Sequence, residues 1–308
     1  MKTNFKSRLS TKLATGFLAA AILATGLLAI TPLTFAADVA PTDGVKGVGK
    51  KSRALGLASA EEVERQAAQQ FDQLKSQARQ QQALAPDDFP PLIRLRKIAE
   101  RIIPFAPKWN DQADKWKWEV IMIGSKQINA FCMPGGKIAF YTGIIDTLKM
   151  TDDEIAIVMG HEVAHALREH GRERAGKQKL ANGVTIAASV FSAILGYGNV
   201  GGQVAQQAAS LTLLKYGRDD EIEGDLVGLD LAARAGYDPR AGVKLWEKMA
   251  AVSKGAPPQW LSTHPSHKTR IDDIRAHLKE VMPLFAKATH RELSEIGPYV
   301  SNYGAAVQ

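Results

Sequence analysis

An apolar stretch interrupted by two histidines and a glutamate constrains this chain more than any other feature. Residues Gly160-His161-Glu162-Val163-Ala164-His165 read HExxH. On a helix, positions i and i+4 share a face, so His161 and His165 can grip one metal ion while Glu162 reaches a water beside it. Ile155, Ala156, Ile157, Val158, Met159, Val163, Ala164, Ala166 and Leu167 surround them. A helix that is apolar all round is a buried helix. Buried imidazoles and a buried carboxylate need partners, and a metal supplies them; two core histidines held by ordinary hydrogen bonds are the plainer alternative. Thr151-x-x-Glu154 is a capping box that opens this helix.

A catalytic zinc site takes three protein ligands and keeps one position for water. The third group must come from elsewhere. The pattern HExxHxxGxxH fails, because Arg168 and Gly171 stand where its Gly and third His belong. His170 lies five residues past His165 on a stretch that turns polar, which makes it a poor ligand, and Glu169 is expected to point to solvent. The better source is Arg218-Asp219-Asp220-Glu221-Ile222-Glu223-Gly224-Asp225. Acidic residues at a helix start complement its dipole, which accounts for Asp219, Asp220 and Glu223 but poorly for Asp225. Glu221 and Asp225 share a face, so one can ligate while the other orients a ligand histidine through its free ring N–H. Spacing alone puts Glu221 narrowly ahead of Glu223. Gly224 and Gly228 would let this helix approach the HExxH helix closely.

The remaining elements place the pair in an α+β chain, mainly helical, with a small sheet of about three strands beside the HExxH helix. Ser59-x-x-Glu62 caps an amphipathic helix over 60–83, with Val63, Ala67, Phe71, Leu74 and Ala78 on its apolar face. Pro90-Pro91 breaks the chain before a second helical stripe from Leu92 to Ile103. Strands are expected at 118–123, 128–133 and 137–141, the last two joined by Pro134-Gly135-Gly136. Cys132, the only cysteine, reads as a small hydrophobe in that sheet. Helices follow from Asp219 to Ala235, after Asp238-Pro239, and over about 266–287, with a loop 254–265 between the last two. The division expected is 1–36 signal peptide, 37–57 flexible lead-in, 58–90 N-terminal helix, 91–288 main domain and 289–308 a C-terminal tail, loose after Pro298.

The first 36 residues carry Lys2, Lys6, Arg8 and Lys12 and then an uncharged run to Phe35, the layout of a secretory signal cut after Ala36, with an uncleaved inner-membrane anchor as the alternative. Removing them takes the net charge from +7 to +3. That is too weak a charge, with no basic stripe, to argue for nucleic acid. The route and the absence of any possible internal disulfide point to the periplasm. From Leu180 to Leu214 no residue is charged. A buried or lid-forming helical pair is expected there, with membrane association through 180–214 as the alternative. Oligomeric state is not legible.

HExxH followed by Arg218-x-x-Glu221-x-x-x-Asp225 resembles the zinc peptidase family of the heat-shock protease HtpX and the CaaX prenyl-protein endopeptidases. Asn129-Ala130-Phe131, Pro134-Gly135-Gly136, Ala235-Gly236-Tyr237-Asp238-Pro239 and Ser262-Thr263-His264-Pro265-Ser266 extend the likeness over about 92–280. The signal-bearing layout is most similar to the soluble periplasmic branch that includes LoiP and BepA. Gly224 replaces the family's usual Ala, read as a benign change; there is no lipid-acceptor cysteine and no tetratricopeptide repeat. The resemblance implies a gluzincin-type zinc peptidase domain with one Zn2+ per chain, held by His161, His165 and Glu221. It implies Glu162 as catalytic base, and Asp225 behind the ligands.

His264 is a candidate second donor to the reacting carbonyl, with Arg218 or Arg270 in reserve, or a gate on the open metal position. Asn129, Ala130 and Phe131 would receive substrate as an added strand. The expected activity is cleavage of unfolded or misassembled envelope proteins. One alternative is a chaperone-like assembly factor with a little-used zinc site. Another is a deformylase-like enzyme using Cys132 as a ligand.

Overall fold

The computed structural model describes residues 43–182, 216–253, 258–264 and 269–308. All of them fall in one compact unit, Asp38–Gln308. The expected signal peptide and most of the uncharged 180–214 stretch lie outside the described residues. No described helix is long and apolar enough to cross a membrane.

The sheet divides the molecule. Strands β1 (Glu119–Ile123), β2 (Ala130–Met133) and β3 (Lys137–Tyr141) lie in the order β1-β3-β2. β1 runs parallel to β3 with Val120 opposite Ile138, and β2 antiparallel with Phe131 opposite Ala139. Gly135 and Gly136 make the β2–β3 turn at φ +79° and +76°. A Cβ on Gly136 would sit 2.7 Å from the Trp118 ring, so the turn needs glycine twice over.

Alternation along the strands sends side chains to two separate clusters. Ile121, Ile123, Phe131, Met133, Ala139 and Tyr141 pack under the apolar face of α1 (Ala60–Gln80). Val120, Met122, Ala130, Cys132, Ile138 and Phe140 face the helical body. The α1 cap is only half of the expected box. Ser59 Oγ accepts from Glu62 N, while the Glu62 carboxylate turns outward to Arg65.

The helical body begins with α2 (Pro90–Ile102) and the short α3 (Thr142–Leu148). Next comes α4 (Asp152–Leu167), the HExxH helix. Every residue from Glu154 to Leu167 is buried, as an all-round apolar helix requires. Its capping box is complete, with Thr151 N donating to Glu154 Oε2 at 2.9 Å. After a two-residue break comes α5 (His170–Asn182). Helices α6 (Arg218–Arg234), α7 (Ala241–Val252), α8 (Gln259–Thr263) and α9 (Arg270–Ala288) complete the body. The short α8 lies within what reads from sequence as a plain loop.

Two glycines let α4 and α6 touch backbone to backbone. A Cβ on Gly160 would fall 2.7 Å from Gly228 O, and one on Gly228 2.7 Å from His161 N. No side chain fits between them, and the crossing brings the acidic start of α6 over the HExxH histidines.

Both termini of the described unit depart from expectation. The lead-in is docked from residue 43: Val45 is 1% exposed, its N–H donates to Asp230 Oδ2, and Asp43 pairs with Arg234. The tail is docked too. Tyr299 and Val307 exchange backbone hydrogen bonds of 2.7 and 2.9 Å. The reason lies at the start of α4. Glu154, fully buried, accepts from Lys248 Nζ at 2.6 Å and from Ser301 Oγ at 3.1 Å, so the polar tail completes a buried ion pair.

Candidate metal centre

The i,i+4 spacing on α4 brings His161 Nε2 and His165 Nε2 to 3.0 Å from each other. α6 adds Glu221, whose carboxylate oxygens lie 3.7 Å from each of these nitrogens. His264, at the end of α8, places Nδ1 3.2 Å from His161 Nε2 and 3.0 Å from Glu221 Oε1. One ligand atom from each of the four lies within 4.8 Å of the others, and all four residues are buried. Among the described residues this is the one such cluster.

The donor set suits a metal ion. Tetrahedral zinc with bonds of about 2.0–2.1 Å separates its ligand atoms by roughly 3.3 Å, and the separations here run from 3.0 to 3.7 Å. Burial, followed by the neighbouring His161, His170 and His264, holds His165 well below the usual histidine range. It is therefore neutral, with a lone pair to give. Burial works against the charge of Glu221, but His264 and Arg270 outweigh it and keep the carboxylate ionised.

Behind the cluster stands an ion-pair wall. Arg270, 1% exposed, donates from Nε and Nη2 to the two Asp225 oxygens at 2.7 and 2.5 Å, and from Nη1 to Glu221 Oε2 at 2.5 Å. Its guanidinium lies 3.8 Å above the Trp246 ring. Burial opposes ionisation of Asp225, yet Arg270 and His161 bring it down to about 2. Asp225 Oδ1 lies 3.2 Å from His161 Nδ1, though off the line of a good hydrogen bond.

Glu162, 2% exposed, accepts from Trp260 Nε1 at 2.6 Å, and His264 Nε2 is 3.6 Å away. His264 is stacked between two rings, Trp260 at 5.1 Å and Tyr216 at 4.9 Å. Tyr216 also stacks on His165 at 3.8 Å. Backbone bonds fasten this cover: Tyr216 N donates to Thr263 O, and Trp260 N to Ile128 O, both at 3.1 Å.

Several sequence expectations change here. Arg218 is exposed at the first position of α6, away from the cluster, so it offers the site no donor. Arg270 is close, but its guanidinium is committed to Asp225 and Glu221. His170 is buried at 3%, not on a polar face, and meets His165 from behind at 2.8 Å. Glu169 is turned to Arg172 and Lys51 instead of to solvent. The change from Ala at Gly224 is not neutral for spacing, since a Cβ there would lie 2.8 Å from His161 Cε1 and 3.0 Å from His165 Nε2. Cys132 stands outside the cluster, its thiol pushed up by burial and then by Glu162, and its Sγ–H approaches Met133 O. Asn129, Ala130 and Phe131 are buried at an edge of the sheet as ordered, with the Ile128 carbonyl beside them taken by Trp260.

Trp260, Tyr216 and His170 were not read from the sequence as site residues. Trp260 alone left a trace, since it precedes His264 by one helical turn.

A helix carrying HExxH, a carboxylate from a second helix crossing it, and a small mixed sheet alongside define a metallopeptidase domain of the gluzincin class. The profile of Peptidase family M48 matches residues 93–278, and the chain belongs to that family. It is 37% identical over 155 residues to the mitochondrial metalloendopeptidase OMA1 of Arabidopsis thaliana, covering 50% of this chain and 30% of the relative. It is 32% identical over 200 residues to OMA1 of Schizosaccharomyces pombe, covering 64% and 56%. To the beta-barrel assembly-enhancing protease of Yersinia pestis it is 27% identical over 218 residues, covering 67% and 43%. The chain thus spans less than two thirds of the length of these relatives.

Proposed function

We propose that the protein is a zinc-dependent endopeptidase of the periplasm that cleaves unfolded or misassembled envelope proteins. The observation that carries this reading is the convergence of His161, His165 and Glu221 beside the buried carboxylate of Glu162. His161 and His165 would hold the ion through Nε2 and Glu221 through a carboxylate oxygen. When bound, the ion supplies Lewis-acid polarisation of a water and of the scissile carbonyl. Glu162 takes the proton of the attacking water as its oxygen bonds to the carbonyl carbon, and delivers it to the amine nitrogen as the C–N bond breaks. Arg270 holds Glu221 and Asp225 in place throughout. An extended peptide pairs with the edge of β2 near Asn129, Ala130 and Phe131, which favours loose sequence preference. The secretory layout of residues 1–36 supports the compartment, and the likeness to a beta-barrel assembly-enhancing protease supports the substrate class.

His264 acts as a gate in this reading. A catalytic zinc site needs one open position, and His264, a fourth donor beside His161, His165 and Glu221, would close it. Trp260 on Glu162 and on the Ile128 carbonyl closes the base and the strand edge together. We read this arrangement as a resting state, in which His264→Ala raises cleavage of casein at unchanged metal content. A fall in cleavage would assign His264 to the reaction instead.

The closed cover also favours a second reading, an assembly factor that binds client proteins and seldom cuts them. Metal stoichiometry and casein cleavage of wild type, Glu162→Gln and Glu221→Ala decide the first reading. Glu162→Gln keeps its metal and loses roughly 10²–10⁴-fold in rate, and Glu221→Ala loses the metal. Full complementation of a deletion by Glu162→Gln would establish the second reading.

A further inference from the structure

The two histidines of α4 are backed in different ways. His161 faces a carboxylate, Asp225, directly. His165 faces another imidazole: His165 Nδ1 and His170 Nδ1 lie 2.8 Å apart, both rings buried. Nothing in a regular helix would put them together, because a residue five positions on lies about 140° round the axis. The chain instead breaks after Leu167, and Glu169 takes φ +60°, a left-handed conformation uncommon for a residue with a Cβ. That bend swings His170 back beneath His165.

We propose that His170 is a positioning residue that fixes the ring orientation and tautomer of His165 through a relay ending on Glu223; the inference rests on the metal-binding role given above to His165. His165 turns Nε2 into the cluster, 3.0 Å from His161 Nε2. Its hydrogen must then sit on Nδ1, so Nδ1–H donates and His170 Nδ1 accepts. The His170 hydrogen is forced onto Nε2, which faces Glu223 Oε2 at 3.2 Å, with Asp220 at 3.9 Å. Each link has one donor and one acceptor, and the polarity runs from the metal ligand to a carboxylate. Glu223 is fixed in turn by Arg168 Nε at 2.9 Å, and Arg168 Nη2 donates to Gly49 O at 2.5 Å. Gly49 is glycine for room, since a Cβ there would fall 2.6 Å from Glu223 Oε1. The docked stretch around Gly49 therefore forms the outer end of the relay. These outer residues line an open polar cleft with a volume of about 590 Å³, bounded by Lys50, Lys51, Asp220 and Glu223, so the rear of the centre reaches the surface here.

The test measures zinc affinity by competition with a chromophoric chelator, alongside thermal unfolding of the metal-free proteins. His170→Ala should weaken zinc binding about 10–100-fold, with metal-free unfolding close to wild type. His170→Gln should restore most of the affinity, because its Oε1 can accept from His165 while its Nε2 donates to Glu223. Glu223→Leu, which removes the far end without touching His165, should weaken binding in the same direction. Wild-type affinity in His170→Ala, or equal loss in His170→Ala and His170→Gln, overturns the relay. His165→Ala and Glu221→Ala are run beside them. Zinc kept by those two overturns the metal site itself, whereas zinc lost by them and kept at full affinity by His170→Ala overturns the relay alone.

Discussion

The wall behind the metal cluster and the cover over it are made of different materials. The wall consists of α4, α6 and α9, long helices locked by the Gly160–Gly228 contact and by the Arg270–Asp225–Glu221 ion pairs. The cover is Tyr216 and the five-residue α8, held by ring stacking and a few hydrogen bonds. Removing one partner of a buried ion pair costs about 3–5 kcal/mol, while a single hydrogen bond contributes about 0.5–1.5 kcal/mol. A wall that keeps ligand geometry and a cover held by weaker contacts fit the gate proposed for His264.

The largest test of this contrast is Arg270→Met. It leaves the carboxylates of Glu221 and Asp225 buried without their counter-charge, and should cost about 3–5 kcal/mol by denaturant unfolding and also weaken metal binding. A loss below 1 kcal/mol would make the wall no firmer than the cover.

Acid should act on the same wall in the metal-free protein. Asp225 is held down to about 2 by Arg270 and His161 against the cost of burial. A depressed carboxylate contributes stability that is fully present above its unfolded value of about 3.9 and is lost as pH falls through the folded value. Between pH 4 and pH 2 the wild type should lose about 2 kcal/mol that Asp225→Asn does not lose. Parallel curves for the two proteins over that window would remove Asp225 from the wall.

Gly224→Ala probes the spacing between wall and ligands. Its Cβ would meet both imidazoles of α4, so about 1–3 kcal/mol of overpacking is expected, together with weaker metal binding. Trp260→Phe should have the smallest effect on stability, about 1 kcal/mol. It keeps a six-membered aromatic ring in the stack, trims the rest of the indole and removes the N–H from Glu162, so casein cleavage should rise. Unchanged cleavage would mean that the cover holds through His264 alone.

What was legible in the sequence follows the same division. His161, His165, Glu221 and Asp225 lie at helical spacings, and a helix converts spacing into geometry with no other information. Gly224 and Gly228 on α6 were legible for the same reason, while Gly160, the α4 partner of Gly228, was not. His170 was misplaced because its position depends on one left-handed residue, Glu169, that no local pattern signals. Trp260 and Tyr216 reach the site through contacts between segments far apart in the chain, and nothing at Trp260 says that its indole will find Glu162. Arg218 stands three positions before Glu221 in the same acidic stretch, but it is exposed at the start of α6. The tail looked loose because it is polar, and it docks because Glu154 and Lys248 are buried polar groups that need it.

The family match begins at residue 93, beyond the end of α1. The apolar cluster under α1 shows why that border is no place to cut the gene. A fragment starting there would uncover Ile121, Ile123, Phe131, Met133 and Tyr141 on one side of a sheet whose other side is already packed. Such a greasy, strand-rich surface invites self-association. Heterologous expression of the catalytic part alone should therefore yield inclusion bodies where the longer chain stays in solution, although every residue of the metal centre would be present.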